Sequence, residues 1–132
     1  MNRSGILSTV LASTVMLASA SHAQWSKVAE NNAGQTFYVN TDSIKKDKGF
    51  VYFWTITNFP LPDRQGNLSI KGLNELDCDT PIKRRLLTET QHTKPMGAGE
   101  PRKIFDQPTK WSYFPPNSVG SFINQSLCNQ FG

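Results

Sequence analysis

The chain contains only two cysteines, Cys78 and Cys128, and this pair constrains the possible folds more than any other feature. A signal segment, described next, predicts export to an oxidising compartment, where an even pair of cysteines first indicates a disulfide. Closing a loop of about 50 residues would stabilise a small domain by roughly 4 kcal/mol. The alternative is a reactive or metal-binding thiol, for which His92 is the only histidine beyond the signal segment.

Residues 1–23 have the three-part layout of a secretory signal peptide. Arg3 supplies the positive charge, residues 6–18 are apolar, and residues 19–23 are small or polar. The apolar stretch is shorter than the roughly 20 residues that cross a bilayer. We expect cleavage after Ala23, with cleavage after Ala20 as the alternative; the competing interpretation is a buried apolar helix of the mature domain.

No cysteine lies near the signal segment, so we expect no lipid anchor and an exported product in the periplasm or the medium, with cell-surface association left open. Residues 24–132 then form one domain, since the chain has no repeat and no long linker. A domain of this size buries roughly 60% of its unfolded surface, which is enough for one core. With 37% hydrophobic and 18% charged residues, the composition excludes collagen, coiled coils and polytopic membrane proteins.

Alternating apolar residues predict a β-sheet. Residues 50–57 are the strongest strand, with aromatic or aliphatic side chains on both faces, which indicates a central strand covered on both sides or one with an exposed aromatic patch. Residues 68–78 and 82–91 flank a short polar break and should form a hairpin. In the second strand, the alternation predicts one common face for Ile82, Leu86, Thr88 and Thr90. Shorter strands are expected at residues 25–30, 36–39 and 102–105.

The last element should be an amphipathic helix. Pro115 and Pro116 end the extended chain, and either Asn117 or Ser118 can cap the helix. Its apolar side consists of Val119, Phe122, Ile123 and Leu127, with Cys128 at the border. Cys128 on this side of the helix can reach Cys78 on the apolar face of its strand only if the helix packs across the sheet. The expected class is α+β, a curved antiparallel sheet with a C-terminal helix joined to one face.

Several short motifs occur in a family-specific order. They are Glu75-Leu76-Asp77-Cys78, Arg84-Arg85, the loop at residues 95–99, Trp111-Ser112-Tyr113, the segment 115–119 and Leu127-Cys128. From Trp25 to Cys128, the chain resembles the surface-adhesin protein E family of Gram-negative bacteria. The resemblance implies a sheet of about six antiparallel strands whose C-terminal helix is held by a bridge between Cys78 and Cys128.

The same resemblance implies adhesion to host-matrix components and self-association, so a homodimer is possible. One feature departs from the family: its namesake adhesins are lipoproteins, whereas this chain has no cysteine that could accept a lipid at its mature N-terminus.

Residues suited to catalysis or metal binding are scarce. His92 lies in the predicted loop of residues 92–101, which is rich in Gly and Pro and has no G-x-S-x-G motif, and it is expected to be an exposed loop histidine. Asp77 and Asp79 should face solvent or meet Arg84 and Arg85 across the hairpin. One histidine and two paired cysteines do not supply a regular set of metal ligands. The sequence therefore predicts a non-enzymatic protein without catalytic residues, metal or cofactor.

Basic residues are clustered, and the net charge of +4 favours anionic partners. One cluster is Lys45, Lys46 and Lys48; the candidate binding residues are Lys83, Arg84, Arg85, Arg102 and Lys103. We expect a host extracellular-matrix protein, an anionic polysaccharide or an envelope component as partner, and no nucleic acid. The alternative is a solvated basic face without a partner.

The expected function is an exported binding module that recognises host-matrix or cell-envelope macromolecules. The alternative is a periplasmic protein that binds a small apolar or aromatic ligand on the face formed by Phe50, Tyr52, Trp54 and Ile56. An aromatic stripe such as Phe50, Tyr52 and Trp54 is more often part of the core, and it forms a binding patch only if its face is uncovered.

Overall fold

The computed structural model describes residues 24–132; the predicted signal segment lies outside the described residues. These residues form seven antiparallel strands and one α-helix. The elements are β1 (Trp25–Glu30), β2 (Thr36–Asn40), β3 (Lys45–Asp47), β4 (Phe50–Asn58), β5 (Ser69–Asp77), β6 (Lys83–His92), β7 (Lys103–Phe105) and α1 (Val119–Phe131). The sheet is open, in the order β1-β2-β4-β5-β6-β7, with β3 beside β4. The predicted α+β class, an antiparallel sheet with a C-terminal helix, is confirmed.

Strand β4 lies inside the sheet, as its two apolar faces predict. It pairs with β5 along its whole length, and with β2 and β3 on its other side. Val51 and Phe53 are fully buried on the face that α1 covers. The predicted hairpin also forms, because β5 and β6 are antiparallel neighbours.

A β-bulge interrupts β6 and changes which side chains face the helix. Leu73 is opposite Thr88, but the next residue, Asn74, is opposite Leu86, so Leu87 is an extra residue. Strand side chains alternate between the two faces with a period of two. After an inserted residue, every side chain further along the strand therefore points to the face opposite the one expected. Leu86 therefore faces the helix side and Thr88 the other side, and the predicted common phase of these two residues is wrong.

Helix α1 begins where the sequence predicts, but the side chains that it buries are not all those of the predicted apolar side. The Ser118 hydroxyl oxygen accepts a hydrogen bond from the Ser121 amide at 3.1 Å, which caps the first turn. Ile123 and Leu127 are buried as predicted, but Phe122 is 57% exposed and Asn124 is buried in its place. The predicted inward position of Phe122 is therefore wrong.

The disulfide and the core hold α1 on the sheet. Cys78, just after β5, is bonded to Cys128 of α1, with a Cα–Cα distance of 5.5 Å. The core beneath the helix consists of Val39, Val51, Phe53, Leu76, Ile123 and Leu127. The predicted bridge is confirmed. Within residues 24–132, no helix has the length and apolarity needed to span a membrane.

Candidate functional site

Helix α1 covers one face of the sheet, and the opposite face, called the open face here, carries aromatic and charged side chains. Tyr52 is opposite Glu75 and Trp54 is opposite Leu73, so these four side chains share the open face. Glu75 is in turn opposite Arg85 on β6. The aromatic side chains are partly exposed, whereas Ile56, on the same face of β4, is buried.

One aromatic group on the open face is organised around a lysine. The Lys71 ammonium lies 5.3 Å from the centroid of the Trp54 ring and 5.8 Å from that of Trp25. Both distances are within the range of cation–π attraction. Lys71 thus lies close to one ring from β1 and one from β4, two strands that are separated by β2.

A second aromatic group lies at the other end of β4. Trp111 comes from the long segment after β7 and stacks on Phe50, with ring centroids 6.0 Å apart. The Arg85 guanidinium lies 4.5 Å from the Trp111 centroid and the Lys83 ammonium lies 5.1 Å from it. The segment is fixed at this place because Arg84 and Ser112 exchange backbone hydrogen bonds.

Glu75 holds Tyr52, which lies between the two groups along β4, and Arg85 of the second group. It accepts hydrogen bonds from the Tyr52 hydroxyl at 2.7 Å and from Arg85 Nε at 2.6 Å. The hydrogen bond to Glu75, reinforced by burial, raises the pKa of Tyr52 to about 12. Tyr52 and Arg85 are therefore held in fixed positions on the open face.

The five predicted binding residues do not form one patch. Lys83 and Arg85 lie on the open face, where Lys83 also lies 3.8 Å from Asp77. Lys103, on β7, is over the ring of Phe105 at 4.9 Å. Arg102 donates hydrogen bonds to Asn67 and Gln91 near the other end of β6.

Arg84, the fifth residue, faces the helix side because of the bulge at Leu87. Its guanidinium lies 4.4 Å from the centroid of Phe114 and 5.7 Å from that of Phe53. Burial lowers the pKa of Arg84 to about 10, so the side chain stays cationic at neutral pH. Its Nη1 atom is buried and has no hydrogen-bond partner in the described part of the chain.

His92 is in a different environment from the one that the sequence predicts. It is the last residue of β6 and is 4% exposed, so the predicted exposed loop position is wrong. The 3-10 turn Pro95–Gly97 is anchored nearby, because the Gly97 amide donates to the Ser69 hydroxyl and Ser69 is opposite His92. His92 Nε2 forms a hydrogen bond with the Thr90 hydroxyl at 2.8 Å. Residues 24–132 contain no cluster of three His, Cys, Asp or Glu side chains that could hold a metal ion.

The sequence model described as Surface-adhesin protein E matches residues 25–129. The chain belongs to the surface-adhesin protein E family. Its fold is similar to that of Haemophilus influenzae protein E, with a TM-score of 0.58 and 15% identity over 84% of this chain and 88% of that one. The selenomethionine form of protein E gives a TM-score of 0.59 and 16% identity over 82% of this chain and 88% of that one. No curated protein sequence matches the chain.

Membership of the surface-adhesin protein E family confirms the resemblance seen in the sequence and identifies an adhesin-like binding protein of exported type. The structural similarity, at this low identity, shows the fold alone.

A cavity of about 390 Å³ lies at the edge of the sheet formed by β6 and β7. That position differs from the face of Phe50, Tyr52, Trp54 and Ile56, to which the alternative interpretation of the sequence assigned a small ligand.

Proposed function

We propose that this chain is an exported adhesin-like protein that binds a macromolecular partner through the open face of its sheet. The observation that supports this proposal is the pair of aromatic groups on that face, in which Trp25, Trp54 and Trp111 each have a cation over the ring. Tryptophan, tyrosine and arginine dominate the binding energy of protein interfaces. The open face offers all three within one sheet.

The side chains of this face are held before any partner arrives. Arg85 is fixed by Glu75 and by the ring of Trp111, and Tyr52 is fixed by the same carboxylate. Ordering a flexible side chain on binding costs about 0.5–1.5 kcal/mol. Because these residues are already ordered, more of their contact energy becomes available as affinity.

The cations of the face favour an anionic partner. Lys71, Lys83 and Arg85 lie among the aromatic rings, and Lys45 shares the face because it is opposite Tyr52. We propose an acidic segment of a host extracellular-matrix protein as the partner, with an anionic polysaccharide or an envelope component as the alternatives. Arg102 and Lys103 would contribute only to a partner that reaches the β7 edge. The proposed location is the periplasm or the medium, without a lipid anchor.

The proposal can be tested with the mature protein, residues 24–132, against immobilised matrix proteins, heparin and envelope vesicles. Trp54→Ala should weaken binding by at least roughly 30-fold if Trp54 is central to the interface. Lys71→Gln should weaken binding less and flatten its salt dependence, because it removes one screened charge. The matched control is Arg64→Gln, an exposed cation in the loop after β4.

Binding that is unchanged in folded Trp54→Ala and Lys71→Gln would contradict the proposal. Light scattering at the same concentrations shows whether a homodimer forms. A dimer that Trp54→Ala dissociates would mean that self-association and partner binding compete for the open face.

A further inference from the structure

Two adjoining cavities at the β6–β7 edge of the sheet form one groove, called the edge groove here. The polar cavity, of about 200 Å³, contains Arg84, Thr57 and Ser112 in its wall. The apolar cavity, of about 390 Å³, contains Ile104 and Phe105. Both cavities are lined by Leu86, Glu89 and Thr109, so they adjoin. The volume of the apolar cavity is within the range of small-molecule sites.

The polar cavity contains Arg84, for which residues 24–132 supply no counter-ion. Arg84 Nη1 is buried and has no hydrogen-bond partner within residues 24–132. The other arginine in the wall, Arg85, is bonded to Glu75 at 2.6 Å. A buried charge is costly unless it is paired, and contact with the Phe114 ring offsets only part of that cost. An anion from outside the chain would supply the missing partner.

The charge and shape of the groove favour a singly charged, planar anion. Arg84 contributes one unpaired positive charge, and Glu89 contributes a negative one at the junction of the two cavities. A doubly charged phosphate would meet too little positive charge and would be repelled by Glu89. A carboxylate matches the fork of a guanidinium with two parallel hydrogen bonds.

The apolar cavity indicates what the carboxylate is attached to. Ile104 is 60% exposed and Phe105 is 41% exposed, although both belong to a strand of the sheet. They lie beside Leu86 at the edge of the groove. An alkyl or aromatic group lying there would remove their apolar surface from water.

We propose that the edge groove binds an amphiphilic monocarboxylate, with its carboxylate on Arg84 and its apolar part against Leu86, Ile104 and Phe105. Two sources share this chemistry: a free alkyl carboxylate and an apolar peptide C-terminus. Arg84, which would hold the carboxylate, faces the helix side of the sheet, so the proposal does not depend on the aromatic groups of the open face.

The first experiment is calorimetric titration of the mature protein with acetate, hexanoate and octanoate. Affinity should increase roughly fourfold for each buried CH₂ group. 1-Octanol should bind at least roughly tenfold more weakly than octanoate, because it has no charge for Arg84. A peptide ending in Leu-Phe, with a free or an amidated C-terminus, represents the second source.

The second experiment uses variants whose folding is checked by circular dichroism. Arg84→Met should weaken octanoate binding roughly 10- to 100-fold, and Arg84→Lys should restore part of it. Phe105→Ser should reduce the gain with chain length and leave acetate binding unaltered. Arg64→Met, which removes an exposed cation elsewhere, is the matched control.

Tighter binding of octanoate than of the free-carboxylate peptide supports a small amphiphile, and the reverse supports a chain terminus. Equal binding of octanol and octanoate, no dependence on chain length, unchanged affinity in folded Arg84→Met, or no saturable binding of any carboxylate would overturn the proposal.

Discussion

The replacement Gly120→Ala tests how closely α1 approaches the segment that precedes it. A Cβ atom at Gly120 would lie 2.0 Å from Cδ2 and 2.5 Å from Cε2 of the Phe114 ring. Real Cβ atoms essentially never approach other atoms closer than 3.0 Å, so the ring would have to move. The same ring holds the Arg84 guanidinium at 4.4 Å from its centroid, so its displacement would disturb a second contact.

Two effects of opposite sign decide the result. Alanine is more favourable than glycine within a helix by about 1 kcal/mol. Overpacking costs about 1–3 kcal/mol, and weakening a partly desolvated cation–π contact costs about 1–2 kcal/mol. The two steric effects together exceed the gain in helix propensity, so Gly120→Ala should lower the free energy of unfolding by about 1–4 kcal/mol, although helix propensity alone predicts a gain.

Urea denaturation of the oxidised mature protein measures this change. In a Phe114→Ala background the collision is absent, so Gly120→Ala should then raise the free energy of unfolding by up to about 1 kcal/mol. Ser126→Ala, an exposed change in the same helix, is the control for propensity. Stabilisation by Gly120→Ala in the wild-type background, or the same effect in both backgrounds, would refute the reasoning.

Three further predictions concern the bridge, the core and the open face. Replacing Cys78 and Cys128 with Ala should lower the free energy of unfolding by about 4 kcal/mol, because the bond joins residues 50 positions apart; urea midpoints check this, and a loss below about 1 kcal/mol would argue against it. Phe53→Ala should cost about 3–5 kcal/mol in the same assay, since its ring is fully buried. The Glu75 hydrogen bond raises the pKa of Tyr52 from 10.0 to about 12, so its contribution to stability is complete below pH 10 and is lost as the pH rises through about 12. Tyr52→Phe should remove that alkaline loss; identical pH profiles of stability for the two proteins would show that the hydrogen bond is unimportant.

The sequence alone determined features that depend on nearby residues or on composition. The alternation in residues 50–57 predicted the inner strand β4, and Ser118 was one of two caps expected for α1. Two cysteines permit only one intramolecular pairing, so the bridge between Cys78 and Cys128 could be predicted without coordinates. These inferences succeeded because strand alternation, helix capping and pair counting need no knowledge of distant contacts.

Only the tertiary structure decided which side chains meet. Alternation along β6 separates Arg84 from Lys83 and Arg85, and the bulge at Leu87 decided that Arg84 faces the helix side while the other two face the open side, so the basic cluster that the sequence suggested is dispersed. Trp111 reached Phe50 from a segment that carries no regular pattern. One inserted residue reverses the facing of a strand, and ring stacking between distant segments leaves no periodic trace in the sequence. The aromatic groups of the open face and the unpaired arginine of the edge groove therefore emerge only when the chain is folded.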